Sequence, residues 1–153
     1  MATTRRIVHS TDYSPASRPA FRKAVELAKA LHRELVLVHV LSPIIMPVFS
    51  GEMYVPPSTY DDLERTSRAA AQRHLQRLTV VAKRAGIRVS SRLVEGAPVA
   101  EQIVRTARGL RAELLVLGTH GRTGVARAVL GSVASRVVAT ASCPVLTVRG
   151  QSK

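Results

Sequence analysis

Cysteine and aromatic residues are scarce in this chain, and their scarcity limits how it can be built. The one cysteine, Cys143, excludes an internal disulfide and leaves no thiol cluster that could hold a metal. Aromatic residues make up 3% of the 153 residues. The core is therefore expected to consist of valine, leucine, isoleucine and alanine, with Cys143 as a packing residue.

Signals for export and for membrane insertion are also absent. No apolar run approaches the roughly 18 residues that span a membrane. Residues 1–15 lack the basic and then apolar layout of a secretory signal. We therefore expect a cytoplasmic protein with no membrane partner, and the length predicts a single domain over residues 1–153.

Acidic residues are few relative to basic ones, and the formal net charge is +13. Such a charge can indicate nucleic acid or an anionic membrane as a partner. However, the arginines are spread in ones and twos along the chain, without the interleaved aromatic residues on which single-stranded bases stack. We interpret the charge as an arginine-rich solvated surface. We do not expect nucleic acid as a partner, although a polyphosphate would be attracted.

Hydrophobic patterning predicts alternating strands and helices. The runs at 34–41 and 112–119 are apolar with little alternation, which is typical of parallel strands covered on both faces. Strands are predicted at 5–11, 34–41, 87–95, 112–119 and 143–149, and helices at 14–32, 59–85, 97–110 and 132–141. This alternation implies right-handed crossovers. The predicted fold is α/β: an open five-stranded parallel sheet with helices on both faces and the Rossmann-like order 3-2-1-4-5.

Two features of the connections are also predicted. Ser14 or Ser17 can cap the first helix, and Ser132 can cap the last. Residues 42–58 hold four prolines and a glycine, which excludes a regular element. Long loops of this kind are often lids or binding loops. Packing on the surface or on a partner subunit is the alternative for this loop.

The segment GTHGRTGVARAVLGS, residues 118–132, follows the fourth predicted strand and holds four glycines. A single glycine at such a position commonly serves only a turn or the close packing of a helix. Four of them, however, free backbone N–H groups for an anion-binding concavity, and the following helix adds its positive dipole end. Arg122 and Arg127 can form charge-assisted bonds. The segment thus has the parts of a phosphate site at the strand end where open α/β sheets bind ligands, although the chain has neither a P-loop nor a GxGxxG turn.

The spacing Gly118, Gly121, Gly131, Ser132 fits G-x2-G-x9-G-[ST], which resembles the ATP-binding signature of the universal stress protein family. The resemblance extends over nearly the whole chain. It includes STDYSPAS at the first strand end, LVLVHVLSP in the second strand, VEGAPVAEQIV, and the block from residue 114 to 148. One departure is Ser135, where the family often has glutamate.

The resemblance implies that ATP, accompanied by Mg²⁺, binds between the ends of the first and fourth strands. Asp12 would lie near the adenine, with Thr11 beside it, and Val40 would line the adenine pocket. The ribose and phosphates would be held by Gly118, Gly121, Gly131 and Ser132, helped by Thr119, His120, Arg122 and Val133. Capping of the next helix by Asp12 is the alternative role for that carboxylate.

The function implied by the resemblance is that of an ATP-binding stress-response protein, a nucleotide-dependent regulator that forms a homodimer through its last strand, Val145 to Val148. Pairing would also cover an apolar sheet edge. No general base stands out near the phosphates, so at most slow hydrolysis is expected. A slow ATPase or nucleotidyl-transfer enzyme and a basic nucleic-acid-binding module are the alternatives. His9 and His39 are expected to be core histidines with satisfied hydrogen bonds rather than metal ligands.

Overall fold

The computed structural model describes residues 5–44, 56–119 and 130–150. Strands alternate with helices along the chain, as the sequence predicts. The strands are β1 Arg6–Ser10, β2 Glu34–Leu41, β3 Val89–Glu95, β4 Ala112–Gly118 and β5 Val145–Val148. The helices are α1 Arg18–Ala30, which follows a 3₁₀ turn at Pro15–Ser17, then α2 Pro57–Arg84, α3 Val99–Gly109 and α4 Ser132–Thr140.

The five strands form one parallel sheet with the order β3-β2-β1-β4-β5, which confirms the predicted order. The first crossover steps from β1 to β2 on one side, and the chain later returns to place β4 on the other side of β1. The strand order therefore reverses between β1 and β4. A crevice at the carboxyl ends of these two strands is the expected ligand position in such a sheet.

Helices cover both faces of the sheet, and alternate strand residues supply two hydrophobic cores. Val36, Val38 and Val40 of β2 pack in the core beneath α3 and α4. Leu35 and Leu37 of the same strand pack in the core beneath α1 and α2. Because both faces of β2 are buried, its sequence is almost continuously apolar. Cys143 packs against the α3 and α4 core, as expected for a structural cysteine.

The predicted helix caps are wrong in both places. Neither serine at the start of the first helix makes a side-chain cap. The Ser17 hydroxyl is buried, donates to the Ser14 carbonyl at 2.8 Å and lies 3.2 Å from Thr11 Oγ1. A buried hydroxyl needs hydrogen-bond partners inside the fold, and these two contacts take the place of a bond to the helix N-terminus. At α4 the cap position is held by Gly131, and Ser132 is the first helical residue.

The histidines in β1 and β2, His9 and His39, differ in their hydrogen bonding. His39 Nδ1 donates to the Thr11 carbonyl at 2.8 Å, in agreement with the expectation of a hydrogen-bonded core histidine. His9 Nδ1 donates to the Val116 carbonyl at 3.0 Å, but its buried Nε2 has no partner. The expectation was therefore wrong for this second nitrogen. Burial lowers the pKa of His9 from 6.5 to about 4, although the Val116 carbonyl and Asp12 favour the charged form.

Among the described residues, no helix combines the length and the apolar character needed to cross a membrane.

Candidate functional site

A cavity of about 580 Å³ opens at the carboxyl ends of the central strands. All eight predicted site residues that the structure describes line this cavity: Thr11, Asp12, Val40, Gly118, Thr119, Gly131, Ser132 and Val133. The other three, His120, Gly121 and Arg122, lie outside the described residues, as does Arg127. Residues far apart in sequence are thus brought together at the point where the strand order reverses.

The turn after β1 is held by its own side chains. Asp12 Oδ1 accepts hydrogen bonds from the Ser14 backbone N–H at 3.0 Å and from the Ser14 hydroxyl at 2.7 Å. The Tyr13 backbone N–H donates to Thr11 Oγ1 at 3.1 Å. These are the local bonds with which aspartate and threonine stabilise turns. Asp12 therefore stabilises the turn that precedes the first helix rather than capping that helix, and it does so while lining the cavity.

The opposite wall is formed where β4 ends and α4 begins. The Thr119 N–H donates to the Val148 carbonyl at 3.0 Å, and the Thr119 carbonyl accepts from the Gly131 N–H at 2.7 Å. This pair of bonds fixes the start of α4 beside the end of β4. The first N–H groups of a helix have no intrahelical acceptor. Ser132, Val133 and Ala134 therefore present the positive end of α4 to the cavity, an arrangement that suits an anion.

The remaining lining combines apolar side chains with hydroxyl groups. Apolar side chains suit the faces of a planar base, and hydroxyls suit a sugar or phosphate. The apolar lining residues are Val40, Leu41, Pro43, Ile44, Val99, Ile103, Leu117, Val133 and Ala134, and the hydroxyl-bearing ones are Ser10, Thr11, Ser17, Ser42, Ser67, Thr119 and Ser132. Within the described ranges, no group of histidine, cysteine, aspartate and glutamate could hold a metal ion.

One wall of the cavity could not be predicted from the sequence. The lining residues that were not predicted include Glu64 and Ser67 of α2 and Glu95 at the end of β3. Polar residues three apart on a helix also occur on solvated faces, so their spacing gave no distinguishing signal.

Ser42 to Ile44 line the cavity and belong to loop 42–58, for which a binding loop was one of the two predicted roles. Of the predicted loop 42–58, residues 45–55 lie outside the described residues. Pro57 and Ser58 begin α2, so the expectation of no regular element was wrong at these two positions, because proline is tolerated at the first position of a helix.

Comparison with known proteins gives a consistent result over nearly the full length. The model of the "Universal stress protein family" matches residues 3–149. A universal stress protein of Methanocaldococcus jannaschii is 32% identical over 151 residues, which cover 97% of this chain and 84% of that protein.

Solved structures agree in fold. A universal stress protein of Lactobacillus plantarum superposes with a TM-score of 0.79 at 23% identity, covering 97% of this chain and all of that one. A universal stress protein in complex with cAMP has a TM-score of 0.70 at 26% identity and covers 98% of this chain and 100% of that one. One from Archaeoglobus fulgidus in complex with dAMP has a TM-score of 0.69 at 22% identity, with 96% and 99% covered.

Proposed function

The chain belongs to the universal stress protein family, and on this premise we propose that it binds ATP with Mg²⁺ in the cavity between β1 and β4. The observation that carries the proposal is the meeting, around one cavity, of the eight described residues that the family resemblance assigns to the nucleotide site. The cAMP complex of a 26% identical relative supports an adenine nucleotide as the ligand class. We further propose that the protein is a single-domain cytoplasmic regulator whose partner choice depends on the bound nucleotide.

The residues of the cavity divide the work of holding such a ligand. Val40 and the neighbouring apolar side chains would take the base, since they offer a dry surface for a planar ring. The start of α4, with Gly131 and Ser132, would take the phosphates through backbone N–H groups and a hydroxyl. The predicted partners His120, Gly121 and Arg122 would complete this anion site. Mg²⁺ would enter with the phosphates and neutralise part of their charge.

Slow turnover is part of the proposal. Asp12 is the predicted carboxylate beside the nucleotide, and its Oδ1 is already engaged by two hydrogen bonds from Ser14. This Asp12 oxygen is therefore committed to the turn rather than to an attacking nucleophile. Glu64 and Glu95 also line the cavity, and we propose no catalytic role for either. An ATPase would instead release phosphate steadily. A nucleic-acid-binding module would show salt-sensitive binding that ATP does not influence.

Calorimetry on the emptied protein tests the nucleotide site. The purified protein is denatured by heat, the released small molecules are analysed, and the refolded sample is titrated with ATP and with GTP. We expect adenine nucleotide in the released fraction and micromolar binding of ATP that is much tighter than that of GTP. Gly121→Val should abolish binding, because Gly121 is one of the signature glycines and a side chain there would take up space proposed for the ribose and phosphates.

Gly109→Val is the matched control for this experiment. Gly109 ends α3 away from the cavity, and an added Cβ meets no atom within 4 Å. This variant should bind ATP as the wild type does. Absence of both released nucleotide and heat on ATP addition would refute the proposal.

We also propose that two chains pair through β5, which is the edge strand next to β4. The carbonyls of Pro144 and Val148 accept bonds from Leu115 and Thr119, so the polar groups of these alternate residues point toward β4. In a parallel pair the backbone groups of the intervening residues point the other way. The N–H of Thr147 therefore faces the open edge.

Thr147→Pro is expected to make the protein monomeric while the sheet remains intact. Proline removes only the outward N–H, which β4 does not use. Sedimentation analysis should give about twice the 16.5 kDa chain mass for the wild type and the chain mass for the variant. Thr147→Val, which keeps the N–H, should remain dimeric. A monomeric wild type would exclude this assembly.

A further inference from the structure

The ring of Tyr13 lies between two histidines. Its centroid is 4.2 Å from that of His39, with 28° between the ring planes, and 4.6 Å from that of His74, with 24° between the planes. The Tyr13 hydroxyl donates to the Ala71 carbonyl at 3.0 Å. The three rings come from the turn after β1, from β2 and from α2. The three stacked rings thus link the turn after β1 directly to α2.

The backbone of Tyr13 is in an unfavourable conformation. Its φ is +63°, in the left-handed region that glycine adopts freely and that bulky residues rarely adopt. A tyrosine there is disfavoured relative to the ordinary conformations, because its Cβ lies too close to the backbone. The two ring contacts and the hydroxyl bond offset this cost. The side chain of Tyr13 therefore holds the turn in a shape that the local sequence alone would not favour.

Both ends of this link adjoin the cavity. Asp12, immediately before Tyr13, lines it. On α2, Ser67 also lines it and lies one helical turn, about 6 Å, before Ala71. Neither Tyr13 nor His74 is among the lining residues themselves. Any influence of these two side chains on a ligand is consequently indirect. It passes through neighbours that line the cavity, namely Asp12, Ser67 and His39, on which Tyr13 stacks.

We propose that Tyr13 and His74 are positioning residues of the nucleotide site, which clamp α2 to the turn after β1 and so fix the distance between Asp12 and Ser67. This inference rests on the proposed nucleotide binding. It assigns to α2, which carries none of the family signature, control over the affinity of the site. If a contact on the outer surface of α2 shifted this helix, the stacked rings would pass the shift on to the turn after β1 and so to the ligand.

Substitution of His74 separates positioning from mere structural support. His74→Ala removes one of the two ring contacts, and we expect ATP binding to weaken roughly fivefold to tenfold, the scale of one aromatic pair. His74→Phe keeps a ring in place and should bind within about twofold of the wild type. Arg77→Ala, on the exposed side of the same helix, is the matched control and should bind as the wild type does. Melting temperatures without nucleotide are recorded for all variants.

Hydrogen exchange gives a second readout that needs no nucleotide. The amides of Tyr13 and Ser14 are bonded to side chains within the turn. Loss of the clamp should speed their exchange in His74→Ala and leave it slow in His74→Phe. Tyr13→Phe, which keeps the ring and loses the hydroxyl bond to Ala71, should show an intermediate increase.

The outcomes distinguish this inference from the proposed function. If the wild type binds ATP but His74→Ala leaves both affinity and turn exchange unchanged, the inference is overturned and the proposed function stands. A lower melting temperature with unchanged affinity also overturns it, because the role of His74 would then be structural only. If the wild type binds no ATP, the proposed function fails, and unchanged exchange in His74→Ala would reject the clamp on its own.

Discussion

Replacement of Ser132 by aspartate is expected to weaken ATP binding about 100-fold without destabilising the fold. Ser132 lines the cavity at the first position of α4, where the phosphates are proposed to lie. The variant loses a hydroxyl donor and places a carboxylate against the phosphates. A lost bond to a charged group costs about 1.5–3 kcal/mol and like-charge repulsion adds about 1 kcal/mol or more, so a hundredfold loss, near 3 kcal/mol, is the expected scale.

The same substitution favours the helix itself, because a carboxylate in the first turn complements the helix dipole. Thermal unfolding without nucleotide should therefore give a melting temperature no lower than that of the wild type. Ser132→Ala should show only the smaller loss due to the hydroxyl. Ser135→Asp places the same charge at an exposed position of α4 that does not line the cavity, and its affinity for ATP should stay near the wild-type value. If calorimetric titration gives Ser132→Asp the ATP affinity of the wild type, the proposal that the start of α4 binds the phosphates is wrong.

Stability should fall by roughly 2–3 kcal/mol as pH is lowered from about 7 to about 4.5, because of His9. In the unfolded chain this histidine accepts a proton near its usual pKa of 6.5, whereas burial keeps it neutral in the fold down to a pKa of about 4. Between these values the unfolded state binds more protons. The contribution of the neutral ring is thus fully present above pH 6.5 and is lost as pH falls toward 4.

Urea unfolding at a series of pH values measures this effect, and His9→Leu is the control. The leucine side chain does not titrate, so the variant should show a much smaller pH slope in the same window. The pKa values of Glu34 and Glu113 are also lowered in the fold. For Glu34, burial opposes the shift, and the bonds from Arg6 and Ser90 outweigh it. For Glu113, the bond from Arg33 is the main cause. Their contributions are lost only below about pH 4.5. Equal slopes in wild type and variant would show that His9 does not control the pH dependence.

Much of the fold could be predicted because the hydrophobic pattern of a buried strand differs clearly from that of a helix. The prediction of a strand at 34–41 agrees with β2, Glu34–Leu41, since a strand buried on both faces has a continuous apolar sequence. The prediction of the helix caps failed because a serine hydroxyl that could cap a helix can also form other hydrogen bonds. Ser17 has the right residue type for a cap, but its hydroxyl bonds to the Ser14 carbonyl and meets Thr11. Only the packed structure reveals that competition.

The parts of the candidate site that a sequence motif marks could be predicted. The parts that no motif marks, such as the wall supplied by α2, could not. The family resemblance, which the glycine signature and the segments at the strand ends carry, implied eight described residues that line the cavity, and their role in binding stays a prediction. Ser67 and Glu64 were missed because a polar side chain on a helix has the same local sequence context whether it faces solvent or a cavity.

The sequence by itself determined the alternation of strands and helices, the two-sided burial of the central strands and the glycine-rich connection after β4. Each of these follows from the spacing of residues close together in the chain. The tertiary structure alone decided which long-range neighbours meet. His9 bonds to Val116 across 107 residues and keeps an unpartnered nitrogen, and Tyr13 reaches Ala71 across 58 residues. The physical reason is that burial, stacking and desolvation depend on what packs against a side chain in space, which the order of residues along the chain does not specify.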